Sequence, residues 1–100
     1  MMMRENVIDI LRKELPGFVS KYGVKRIGLF GSYAKGTPAE GSDIDILVEF
    51  ERPIGLKFIE FAEYLETILG ARVGILTPAG IEAIRVEKVA RDIKGSIVYV

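Results

Sequence analysis

The chain contains no cysteine and no histidine. Without cysteine there is no disulfide framework and no thiolate metal site. Without histidine there is no imidazole general base, no Ser-His triad and no imidazole-held zinc. Chemistry is therefore left to carboxylates, hydroxyls, lysine, arginine and bound metal, and oxygen donors of that kind favour magnesium or manganese over zinc. Long hydrophobic runs are missing as well. No stretch approaches the ~20 apolar residues of a membrane span, and residues 1–6 lack the apolar centre of a signal peptide. The expectation is a cytoplasmic protein with no membrane partner. An excess of either charge is also absent, with 14 Lys plus Arg against 14 Asp plus Glu. Such a chain has no overall field to draw it to nucleic acid, so no stable nucleic-acid binding is expected. Glutamine is absent and Asn6 is the one asparagine, a composition resembling that of thermophilic proteins.

What is present suits one folded unit, 1–100. The chain has 100 residues, 49% of them hydrophobic and 28% charged, enough for one core and its covering surface. Apolar residues at helical spacing predict a helix over about 3–15, then a short helical stretch over 18–22 that starts after Pro16 and stops at Gly23. A first strand is expected over 25–30 and a second over 44–50, the latter with Ile44, Ile46 and Val48 on one face. The longest helix is expected to carry Phe58, Ile59, Phe61, Ala62, Leu65, Ile68 and Leu69 as its apolar stripe and to end at Gly70. A third strand follows over 72–76, Thr77-Pro78 signals a further helix start, 79–94 reads as one bent or two short helices, and 96–100 as a terminal strand. Strands alternating with helices predict an α+β domain with α/β-type alternation, built on a small mixed sheet flanked by helices.

The chemically informative stretch is 29–50. An apolar strand runs into Gly31-Ser32, ten residues intervene, and a second strand opens on Asp43 and Asp45. Strand side chains alternate with period 2, so both aspartates project from one face. Taken singly, these features are ordinary: Gly-Ser can be only a turn with a helix cap, Lys35 a solvated charge, and an acidic pair a polar strand start. Together they make a seat for a metal-bound triphosphate. Gly31 lets backbone approach the phosphates, Ser32 and the following amides can hold them, and Lys35 adds a positive charge about one turn on.

This stretch resembles the signature of the polymerase-beta-like nucleotidyltransferases, and most closely the minimal nucleotidyltransferase (MNT) antitoxins of HEPN/MNT toxin-antitoxin pairs. Gly31-Ser32-Tyr33-Ala34-Lys35-Gly36 is similar to the family's Gly-Ser turn, and Ser42-Asp43-Ile44-Asp45-Ile46-Leu47-Val48 to its Asp-x-Asp strand. The likeness runs more loosely through residues 23–26 and 76–78. It implies the polymerase-beta-like nucleotidyltransferase fold and transfer of AMP from ATP to a tyrosine of a HEPN ribonuclease toxin. It also implies two magnesium ions (manganese as a substitute) held by Asp43 and Asp45, with the triphosphate on Gly31, Ser32 and Lys35. A homo- or hetero-oligomer would be in keeping with such a partner.

The pattern departs from the family at one place. A third carboxylate is expected on the neighbouring strand just before a Leu-Thr-Pro turn, and the matching residue here is Gly74. Glu49 shares the face of Asp45 but lies four residues on, ~13 Å along a strand at ~3.3 Å per residue. Glu82 reaches the site only if the chain folds back. Two readings therefore stand: an adenylyltransferase, and a catalytically weakened module that neutralises its partner by contact.

Overall fold

The computed structural model describes residues 3–31, 43–78 and 97–100. The expected helices at 79–94, the residues between the Gly-Ser turn and Asp43, with Ser32 and Lys35, and Glu82 lie outside them. The described elements are α1 (Arg4–Tyr22), β1 (Val24–Phe30), β2 (Ile44–Phe50), α2 (Lys57–Leu69), β3 (Val73–Leu76) and β4 (Val98–Tyr99). The strands form one mixed sheet in the order β3-β2-β1-β4, with β1 antiparallel to β2 and β4, and β2 parallel to β3. The α+β expectation with a small mixed sheet holds.

One correction concerns the N-terminal region, where a single helix replaces the expected helix, break and short second stretch. Pro16 lies inside α1. A proline removes one intrahelical hydrogen bond and crowds the preceding turn, at a cost of about 3 kcal/mol. The buried residues Val7, Leu11, Phe18 and Tyr22 explain why the helix continues. They keep one stripe in phase across the proline, and each buried side chain of this size is worth about 1.5–3 kcal/mol. Breaking the helix at Pro16 would rotate Phe18 and Tyr22 off the core. Gly23 then ends α1 in the left-handed region, φ 69°, with its N–H donating to the Val19 carbonyl at 3.1 Å.

The helix expected to be the longest is α2, which at 13 residues is shorter than the 19-residue α1 because α1 runs on through Pro16; it ends at Gly70 as expected. Its stripe needs one correction. Phe61, Leu65 and Leu69 are buried, whereas Ile59 is 56% exposed. At about 100° per residue Ile59 stands about 200° from Phe61, on the far side of the helix. Both helices pack on the same side of the sheet, closing a core with Ile27, Leu29, Ile44, Ile46 and Val48. Phe61 is its centre: ring centroids of Phe18, Tyr22 and Phe50 lie 5.3, 5.1 and 5.5 Å away, all edge-on. Three aromatic contacts thus tie α1 and β2 to α2.

The expected alternation of β2 holds on its core face, where Ile44, Ile46 and Val48 are fully buried. The opposite face is graded. Asp45 is half-buried, Leu47 buried and Glu49 half-buried. That face carries the polar chemistry.

Candidate functional site

The site is set by strand register. The last residue of β1, Phe30, pairs with Asp45 across the antiparallel ladder, and Gly74 of β3 pairs with Asp45 across the parallel one. Paired residues project from the same face, so Asp45 stands in the middle of a three-strand row. Asp43 immediately precedes β2 and is exposed. Two backbone contacts hold β3 in place: the Ile44 N–H donates to the Arg72 carbonyl at 2.9 Å, and the Val73 N–H to the Glu66 carboxylate at 3.1 Å. Glu66 was not picked out by the sequence. It sits on the polar side of α2, where nothing in its spacing distinguishes it from Glu60 or Glu63.

Gly31 follows β1 with φ 72°, in the region that disfavours a side chain. A Cβ there would also collide with Asp45 Oδ2. At Gly74 a Cβ would stand 3.0 Å from Asp45 Oδ1 and within 4 Å of no other described atom outside its chain neighbours. Each carboxylate oxygen of Asp45 thus lies against a glycine. The close backbone turn expected at Gly31 is present, and it makes room for the acid.

Burial pushes the Asp45 carboxyl above its ordinary value, and the neighbouring Asp43 carboxylate adds to the shift. Among the described residues neither aspartate is in an ion pair. Two adjacent carboxylates, one partly desolvated and both uncompensated, suit a hard divalent cation, which supplies the missing charge. Glu49 is differently placed. The Arg26 guanidinium donates to its Oε1 from Nη2 at 2.7 Å and from Nε at 3.1 Å, and Lys25 Nζ lies 3.5 Å from Oε2. These bonds occupy it at the far end of β2, in line with its exclusion on distance. Among the described residues no three acidic side chains gather around one point. Among the described residues the donor set therefore fits one cation between Asp43 and Asp45 and offers no third carboxylate for a second.

Comparison with known proteins now bears on this geometry. A family model described as nucleotidyltransferase domain matches residues 8–100. The chain belongs to the nucleotidyltransferase domain family. It is 41% identical over 97 residues to the protein adenylyltransferase MntA of Thermococcus cleftensis, covering 96% of this chain and 91% of that protein. A solved structure assigned as a minimal nucleotidyltransferase superposes with a TM-score of 0.72 at 26% identity, over 97% of this chain and 95% of the other. The MNT antitoxin in complex with tri-AMPylated Shewanella oneidensis HEPN toxin superposes with a TM-score of 0.53, covering 96% of this chain and 66% of that one. At 21% identity that likeness concerns the fold. The minimal nucleotidyltransferase fold expected from the Gly-Ser and Asp-x-Asp signature is therefore the fold of this chain. In this member of the nucleotidyltransferase family the Gly31 turn, Asp43, Asp45 and Gly74 come together at one end of the paired strands.

Proposed function

We propose that this chain is a protein adenylyltransferase of the MNT antitoxin type, moving AMP from ATP to a tyrosine hydroxyl of a HEPN ribonuclease toxin that is its partner. The observation that carries the reading is the uncompensated Asp43–Asp45 pair against the left-handed Gly31 turn, in a chain 41% identical to a protein adenylyltransferase. In the reaction the tyrosine oxygen forms a bond to the α-phosphorus of ATP. The bond from that phosphorus to the bridging oxygen breaks, and pyrophosphate leaves with the electron pair while the phenolic proton passes to water. Asp43 and Asp45 would hold the magnesium. Gly31 would admit the phosphates to the backbone, and Ser32 and Lys35 would contact them. Bound magnesium neutralises phosphate charge and polarises the phosphorus being attacked.

The test uses α-labelled ATP, magnesium and the co-purified partner. Label should appear on a partner tyrosine with the wild-type chain and not with Asp43→Ala combined with Asp45→Ala. Failure of transfer at high concentration with a verified partner overturns the reading.

Gly74 favours a second reading, in which contact alone neutralises the partner. The discriminating measurement is protection of cells from the toxin. If the double alanine variant protects as well as wild type does, contact is sufficient. If protection disappears while the complex still forms, transfer is required.

A further inference from the structure

We infer that this chain, loaded with a nucleoside triphosphate, holds one divalent cation rather than two, and that the seat of the second is the position beside Asp45 at Gly74. The inference rests on the nucleotide-binding reading above and deepens it. Phosphoryl-transferring sites that use two ions place them about 3.5–4 Å apart, with acidic side chains reaching both. Magnesium adds a strict demand, since it takes six oxygens in near-octahedral array. One ion is provided for: Asp43, Asp45, phosphate oxygens and water complete its shell. Among the described residues the second would have only what Asp45 can share.

The structure shows where further ligands would have to come from. Glu49 is held by Arg26 and Lys25, and Glu66 by the Val73 N–H. Neither carboxylate is free to turn toward Asp45. The position that faces Asp45 directly is 74, in register on β3, with its Cβ direction leading to Asp45 Oδ1. A carboxylate mounted there would stand beside Asp45, and no other described atom outside the chain neighbours lies within 4 Å of its Cβ. Because no positive φ burdens Gly74, a side chain is compatible with its backbone. The 3.0 Å approach to Asp45 Oδ1 is relieved by a small turn of that side chain.

Manganese with a non-hydrolysable ATP analogue is the probe, on the full chain. Equilibrium dialysis counts manganese per bound nucleotide, and electron paramagnetic resonance reports whether two ions are coupled. Wild type should give one ion per nucleotide and an uncoupled six-line spectrum. Gly74→Asp should give two ions with exchange coupling, and Gly74→Asn, of the same shape without the charge, should give one. The wild-type count decides the matter even if a variant fails to fold. Two coupled ions in wild type would overturn the inference alone, by showing that a carboxylate beyond the described residues completes the second seat. One ion in a folded Gly74→Asp would overturn the assignment of that seat to position 74. Absence of any nucleotide binding would overturn the adenylyltransferase reading itself, and the inference with it.

Discussion

At the scale of the residue, the site is Asp45 between two glycines, and the two glycines do different work. Gly31 is required by its backbone as well as by space: φ 72° and the nearness of Asp45 Oδ2 both exclude a side chain. Gly31→Ala should therefore cost about 1–3 kcal/mol of stability and weaken nucleotide binding, because the methyl group displaces the acid. Urea unfolding and calorimetry read the two effects separately. Gly74 lacks the backbone constraint and its Cβ approach to Asp45 Oδ1, 3.0 Å, is milder, so Gly74→Asp should raise AMP transfer, by up to the factor of about 10²–10⁴ that a positioned acid or base typically supplies.

Asp45 carries a pH dependence with a definite sign. Its folded-state value is raised, by burial first and by Asp43 second. Its protonated form is thus favoured in the folded chain. The stability it contributes is fully present below the ordinary carboxylate range and is lost as pH rises through the raised value. In EDTA, Asp45→Asn should unfold at a higher temperature than wild type at pH 7, with the difference closing as pH falls below about 4. The same variant should lose magnesium-dependent nucleotide binding. A wild-type midpoint above that of Asp45→Asn at pH 7 would show that the apo carboxylate is better compensated than the geometry indicates.

At the scale of the element, most of the fold was legible because each period agreed with its caps. Strand β2 showed period 2 on its core face through Ile44, Ile46 and Val48, and α2 had a stop at Gly70. The two misreadings have one physical origin, since local signals were weighed without the core they serve. Pro16 is a strong local breaker, but the stripe through Val7, Leu11, Phe18 and Tyr22 continues past it. Ile59 is apolar yet lies outside the arc that the sheet can cover. Replacing Pro16 by alanine should accordingly stabilise the chain. The helix recovers about 3 kcal/mol and the unfolded chain regains about 0.4–1 kcal/mol of freedom, leaving roughly 2 kcal/mol as a shift in denaturation midpoint at constant slope. Phe61→Ala should act in the other direction by about 3–5 kcal/mol, since three edge-on aromatic contacts and the joint between α1, β2 and α2 are lost together.

The candidate site was legible to a different degree. Gly31, Asp43 and Asp45 could be singled out because a turn and an alternating strand fix where those residues stand. The pairing of Gly74 with Asp45 was suggested by the Leu-Thr-Pro context and is established by the parallel register. The role of Glu66 in holding β3 was not visible, because a side-chain bond to a backbone N–H seven residues on leaves no periodic trace.

At the scale of the whole molecule, the sheet separates stability from chemistry. Its core face is apolar and buried under α1 and α2, while the other face carries the aspartates at one end and the Arg26–Glu49 pair at the other. The proposed binding seat therefore contributes little to holding the chain together without ligand, and Asp45 opposes it at neutral pH. Ligand should reverse that balance for the molecule as a unit. Binding only the folded state stabilises it by mass action, about 2.7 kcal/mol at a hundredfold excess over Kd. For a domain of this length 1 kcal/mol moves the thermal midpoint by about 4–8 °C, so magnesium with ATP should raise the midpoint by roughly 10–20 °C. Magnesium alone should do much less, and ATP in EDTA should do nothing, because the carboxylates and the phosphates repel until a cation lies between them. Asp43→Ala with Asp45→Ala should start from an equal or higher midpoint than wild type and show no shift with magnesium and ATP. A shift that survives in this double variant would place the nucleotide elsewhere on the molecule.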